Sequence, residues 1–196
     1  MIMPNLAAQL YSRAVPAPSR LVNLFLISAM LALSACSSLP TNVQRTPSYV
    51  LPDTSSTRLA RDIQPLVETH AGLSGFYVMN DGVDAFATRL RIIQAAEESI
   101  DVQYYIWHTD LTGNAMYNQL LHAADRGVRV RILLDDLDTA GKDDMLQLID
   151  AHPNVEVRLY NPFANRGMRA GDFVTDTRRV NHRMHTKTLT VDNQVT

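Results

Sequence analysis

His185, Thr186 and Lys187, four further residues and then Asp192 read H-x-K-x4-D near the end of the 196-residue chain. The stretch from Met184 to about Val191 is expected to be a strand, and residues two apart on a strand point the same way. His185 and Lys187 would then share a face. A neutral imidazole can attack phosphorus while an ammonium beside it holds the non-bridging phosphate oxygens, which divides the work into nucleophile and charge stabilisation. Asp192 stands seven residues from His185, the wrong parity for that face. It is read as a supporting residue that orients the site and takes no part in bond-making. A strand histidine by itself is more often a hydrogen-bonded structural residue, so the sequence around the motif has to decide.

Six basic residues, Arg166, Arg169, Arg178, Arg179, Arg183 and Lys187, crowd the stretch before and into the motif, against two acidic ones, Asp172 and Asp176. Arg178, Arg179 and Arg183 are candidates for contact with a phosphate or headgroup; the competing reading is a solvated face. His182 and His185 fall on opposite faces of a strand. No cysteine and no helical H-E-x-x-H accompanies them, so neither a metal site nor any other cofactor is implied. Asp135-Asp136 after a strand is read as a solvated or helix-capping turn. Tyr104, Tyr105 and Trp107 are read as core packing.

The elements that must position the motif alternate. A helix is expected over Thr57 to Ala71, then a short extended piece from Phe76 to Met79 closed by the Asn80-Asp81-Gly82 turn signal. Asp84 to Glu98 carries Phe86, Leu90, Ile93 and Ala96 at helical spacing, with Asp81 as a cap. Ile100 to Trp107 is dense in β-branched and aromatic residues and predicts a strand. Asn114 to Arg126 predicts a helix ended by Gly127, Val128 to Leu134 a strand, Asp143 to Ala151 a helix and Val155 to Tyr160 a strand. This alternation implies βαβ crossovers: an α/β fold with a mainly parallel or mixed sheet flanked by helices on both faces. The loop from Asn161 to Arg183 is too long for a plain connector, and loops of that length are commonly functional.

The blocks IDVQYYIW, RGVRVRILLDD, HPNVEVRLYNPF and NHRMHTKTLTVDNQVT, in that order, resemble the phospholipase D superfamily and within it the cardiolipin synthase C-like branch, from about Gly75 to Thr196. The resemblance implies a phospholipase D-like fold and a metal-free phosphatidyl transfer. In that chemistry His185 becomes a covalent phosphatidyl-histidine, Lys187 and Asp192 complete the motif, and an alcohol or water takes the phosphatidyl group. It also implies a second motif of the same kind, whose histidine protonates the leaving alcohol. One copy is present here, so a missing second half or a homodimer partner is expected to complete the site. This chain is expected to be inactive without it, as a truncated first half of a two-lobed enzyme.

Residues 1–35 contain no Asp or Glu, and a 13-residue apolar run from Leu21 to Leu33 leads to Ser34, Ala35 and Cys36. A basic start, a short apolar core and a small-residue exit describe a secretory signal. Leu33-Ser34-Ala35-Cys36 resembles the lipobox of bacterial lipoproteins, which implies lipidation of Cys36, the single cysteine. Ser37 favours the outer membrane, with the domain facing the periplasm. Residues 36–57, rich in Ser, Thr and Pro, are read as a flexible tether, and residues 58–196 as the incomplete catalytic domain.

Without Arg13 and Arg20, residues 36–196 hold 16 basic against 20 acidic side chains, a net charge of −4. This does not suggest a nucleic-acid surface. Phospholipids such as phosphatidylglycerol are the expected partners, together with the membrane through the lipid anchor. The alternatives are a nuclease-type phosphodiesterase of the same superfamily and a non-catalytic lipoprotein that binds phospholipid headgroups. The acceptor, whether water, glycerol or a second phospholipid, is not written in these residues.

Overall fold

The structure is a computed structural model that describes residues 20–34, 38–44 and 46–196. It divides into two units, Met1–Ser37 and Ser38–Thr196. Within the first, α1 (Arg20–Ser34) takes up the apolar run, with Leu24, Phe25, Leu26 and Ile27 exposed. No described helix is long and apolar enough to cross a membrane. Cys36, the expected lipidation site, lies outside the described residues.

The second unit is built on a four-stranded sheet in the order β3-β2-β1-β4. Its strands are β1 (Ser99–Tyr104), β2 (Arg129–Asp135), β3 (Val155–Tyr160) and β4 (Lys187–Val191). β1, β2 and β3 run parallel, while β4 pairs antiparallel with β1. The helices are α2 (Arg58–Thr69), α3 (Gly82–Ala95), α4 (Leu111–Asp125), α5 (Asp143–Asp150), α6 (Arg169–Thr175) and α7 (Thr177–Val180).

Side-chain alternation along the strands sorts the two faces. Ile100, Val102, Val130, Ile132, Leu134, Leu189 and Val191 point to one face and are buried there with Ile93 of α3, Leu120 and Ala123 of α4, and Leu146 and Ile149 of α5. Each fully buried Val, Leu or Ile contributes roughly 1.5–3 kcal/mol. The crossovers through α4 and α5 move the same way along the sheet, and the right-handed rule then puts both helices on one side. The sheet is flanked by helices as expected, and those three gather on this face.

The other face carries charge. Arg131 grips Asp101 through Nε and Nη2, both at 2.5 Å, and Arg158 pairs with Glu156. The chain just before α2 lies against this face: Arg131 donates to Ser48 Oγ at 2.9 Å, Arg129 to the Tyr49 carbonyl at 2.9 Å and Arg158 to the Thr46 carbonyl at 2.5 Å. Part of the stretch read as a tether is thus fastened to the domain. Gln194 adds a bond to Thr54 Oγ1 at 2.9 Å.

Element boundaries follow the capping chemistry. Asp110 accepts from Gly113 N–H at 2.8 Å and starts α4 at Leu111, three residues before the apolar spacing alone indicates. The Gly113 N–H and the Thr112 hydroxyl hold the Asp110 carboxyl below its ordinary range. Gly127, at φ +95°, ends α4 in the left-handed conformation that glycine takes without strain. Phe76 to Met79 joins no strand of the described sheet, and Phe76, Tyr77 and Val78 are exposed. The long loop is not bare, since it folds into α6 and α7.

Candidate active site

In a sheet of this kind ligands bind beyond the carboxyl ends of the parallel strands, and the motif is delivered there. The antiparallel pairing of β4 sets Lys187 opposite Tyr104, the last residue of β1. The ladder continues one step further, with Tyr105 N–H donating to the Thr186 carbonyl at 2.9 Å. His185 therefore lies just before the strand and not on it, as the sequence reading had it. The pair meets nonetheless: Lys187 Nζ is 3.2 Å from His185 Nε2, and both side chains are exposed. An ammonium can only donate, so Nε2 accepts in this contact.

Tyr105 completes the group. Its ring makes an edge contact with the His185 imidazole at 4.9 Å between centroids, and Lys187 Nζ stands 5.5 Å from its centre. The core assignment holds for Trp107, which is buried and stacked on Tyr117 at 4.4 Å. Tyr104, half-buried, packs against the core cluster and meets Trp107 edge-on. Tyr105 belongs to the motif instead, because it lies one residue past the end of β1, where its backbone is bonded to Thr186 between the two motif residues.

The approach to His185 is clamped from β2. The buried Asp135 accepts the Met184 N–H at 2.8 Å through one carboxylate oxygen. The other oxygen takes Arg183 Nη1 at 2.9 Å and caps the 3₁₀ turn Asp136–Asp138 through Leu137 N–H at 2.8 Å. The residue next to His185 is thus tied to the end of a core strand. Asp136, also buried, accepts the Phe163 N–H at 2.7 Å and bonds Arg166, Arg169 and Thr139. Arg166 reaches on to Asp143, and that bond holds the Asp143 carboxyl below the usual carboxylate range. The turn at Asp135-Asp136 caps as expected but is buried, not solvated. Its two carboxylates organise the long loop by drawing in that loop's arginines. An Asp pair after a strand, followed by an arginine-rich loop, was the available signal.

Two of the three headgroup candidates are engaged within the fold, Arg183 by that network and Arg179 by the loop itself. Arg183 bonds Asp135, the Val180 carbonyl at 2.6 Å and the Asn161 carbonyl at 3.2 Å, and lies over the Phe163 ring at 4.7 Å. Arg179 bonds Asp176 at 2.5 Å, Asn161 Oδ1 at 3.1 Å and the Pro162 carbonyl at 2.7 Å. Arg178 is exposed. Asp192 is at the opposite end of β4 from His185 and fully buried. It takes the backbone N–H groups of Glu97, Glu98 and Ser99 at 3.0, 2.8 and 2.9 Å. It locks the turn between α3 and β1 and does not touch the His–Lys pair.

Residues 90–196 match the family model described as cardiolipin synthase, PLD-like domain. The chain belongs to this phospholipase D-like family. It is 50% identical over 139 residues to cardiolipin synthase C of Escherichia coli (strain K12), which covers 71% of this chain and 29% of that protein. It is 29% identical over 123 residues to the cardiolipin synthase of Staphylococcus aureus (strain N315), 60% of this chain and 22% of that one. The chain thus spans less than a third of the length of these relatives. Among solved structures, NucT from Helicobacter pylori aligns with a TM-score of 0.41 at 21% identity, over 60% of this chain and 66% of that one.

Proposed function

We propose that this chain supplies one half of a phosphatidyl-transfer site acting on phospholipids. The observation that carries the reading is the exposed His185–Lys187 contact of 3.2 Å at the carboxyl end of the sheet. His185 Nε2 attacks the phosphorus of a phospholipid, a P–N bond forms, and the P–O bond to the leaving alcohol breaks. Lys187 holds the charge on the non-bridging oxygens. A second histidine, from a partner motif, protonates the leaving alkoxide. An alcohol or water then attacks the phosphatidyl-histidine and gives its proton to that second histidine, the P–N bond breaks, and Nε2 recovers its lone pair. Asp192 acts only through the fold. Arg178, exposed on the loop that leads to the motif, is the remaining candidate for headgroup contact.

The test is to incubate the chain, joined with a partner half that supplies the second motif, with short-chain phosphatidylglycerol, quench in alkali and measure phosphatidyl-histidine by mass spectrometry. Wild type should carry the adduct and His185→Gln should carry none. Lys187→Ala should form it about 10²–10³-fold more slowly, as loss of a charge-stabilising donor does. An adduct that persists in His185→Gln would refute the assignment.

The membrane is reached in this proposal through lipid on Cys36, at the outer membrane. Labelled fatty acid should enter the wild type and not Cys36→Ser.

A further inference from the structure

We propose that Tyr105 is the positioning residue of the His185–Lys187 pair. The inference rests on reading that pair as a phosphate site. In the structure Lys187 Nζ donates to His185 Nε2 at 3.2 Å, so the lone pair that would attack phosphorus is occupied. For reaction the ammonium has to leave Nε2 and turn to the phosphate oxygens. An exposed lysine on a four-carbon stem would otherwise lose its place, since its rotamers are many and water competes for it.

Tyr105 limits both partners. Its ring is against the imidazole at 4.9 Å and inclined 61° to it, which fixes the rotation of His185. Lys187 Nζ, 5.5 Å from the ring centre, is within the range of about 6 Å in which a ring attracts a cation. The ring therefore offers the ammonium a second seat one step from Nε2, from which it can reach a phosphate oxygen. Backbone geometry makes the ring a fixed reference, because Tyr105 N–H is bonded to the Thr186 carbonyl at 2.9 Å, between the two motif residues. The ring stands next to the motif because the two strands pair there, and it contributes through its face and edge. Phenylalanine should serve, and an aliphatic side chain should not.

Two readouts on the protein test this. His185 is one of six histidines, and its ring signals are identified by their disappearance in His185→Gln. Tyr105→Leu should move the His185 ring-proton shifts to those of a freely exposed histidine, while Tyr105→Phe should keep most of the displacement. Inorganic phosphate, titrated against the same signals, should bind Tyr105→Leu at least about fivefold more weakly. Tyr105→Phe should stay within about threefold of wild type. Should Tyr105→Leu not fold, judged by the amide spectrum of the core, Tyr105→Met takes its place. Unmoved His185 shifts in the aliphatic variant, or equal losses in Phe and Leu, overturn the proposal. If wild type itself binds no phosphate, the phosphate-site reading fails, and the ring shifts still decide what Tyr105 does.

Discussion

Asp192 is part of the motif by sequence, yet the structure gives it the task of holding the fold, and that can be measured. Its carboxylate is fully buried and accepts three backbone N–H groups, two on Oδ1 and one on Oδ2. Hydrogen bonds to a charged group are worth about 1.5–3 kcal/mol each. A simple sum would approach the whole stability of a small domain, about 5–15 kcal/mol. Such bonds are not additive, and water can enter the gap, so Asp192→Ala should cost about 3–5 kcal/mol. About 1 kcal/mol of that comes from alanine at a φ of +51°, which asparagine tolerates. Asp192→Asn should cost about 2 kcal/mol, because one amide oxygen can still receive the two N–H groups now on Oδ1. Urea unfolding followed through the single tryptophan, Trp107, reads these differences at unchanged slope. In the folded variants the His185 ring signals should not move, because seven residues of extended chain set the two about 20 Å apart. A loss below about 1 kcal/mol in Asp192→Ala, or equal losses in Ala and Asn, would refute the reasoning.

Asp135→Asn removes a charge that holds Arg183 and the Met184 N–H. It should cost about 2–3 kcal/mol in urea and, unlike the Asp192 variants, shift the His185 ring signals. Tyr117→Phe should be neutral or stabilising by up to about 1 kcal/mol, since the buried hydroxyl has no hydrogen-bond partner among the described residues. Burial, then the Asp138 charge, raises the Tyr117 pKa well above its ordinary value. The unfolded chain therefore loses this proton first, and the stabilisation fades as pH rises past about 10; Tyr117→Phe should lessen that alkaline decline. Gly113→Ala would place a Cβ 1.9 Å from the His108 carbonyl oxygen. It should cost more than about 2 kcal/mol, and a wild-type urea midpoint would contradict the close approach.

The sequence alone determined the alternation of strands and helices, the parallel pairing of β1, β2 and β3, and the family. These depend on local signals: apolar period, the Asp cap at Asp81, Gly127 after α4, and a motif whose residues are close in the chain. It also supplied His185 and Lys187 as partners, though by an argument from strand parity that the structure replaces, since β4 begins at Lys187. Asp192 was legible as a residue apart from His185 and Lys187, but its three N–H partners were not, because they lie 93 to 95 residues earlier.

Only the tertiary structure decided which polar residues are engaged and which are exposed. Arg179 and Arg183 look in sequence like Arg178, and they differ because carboxylates from Asp135 and Asp176 reach them. Tyr105 looks like Tyr104, and it differs because β1 stops between them just where β4 starts. The physical reason is common to these cases. A local pattern fixes the period of an element, but the partner of a buried charge or an aromatic ring is set by pairings between distant segments, which exist only once the sheet has closed.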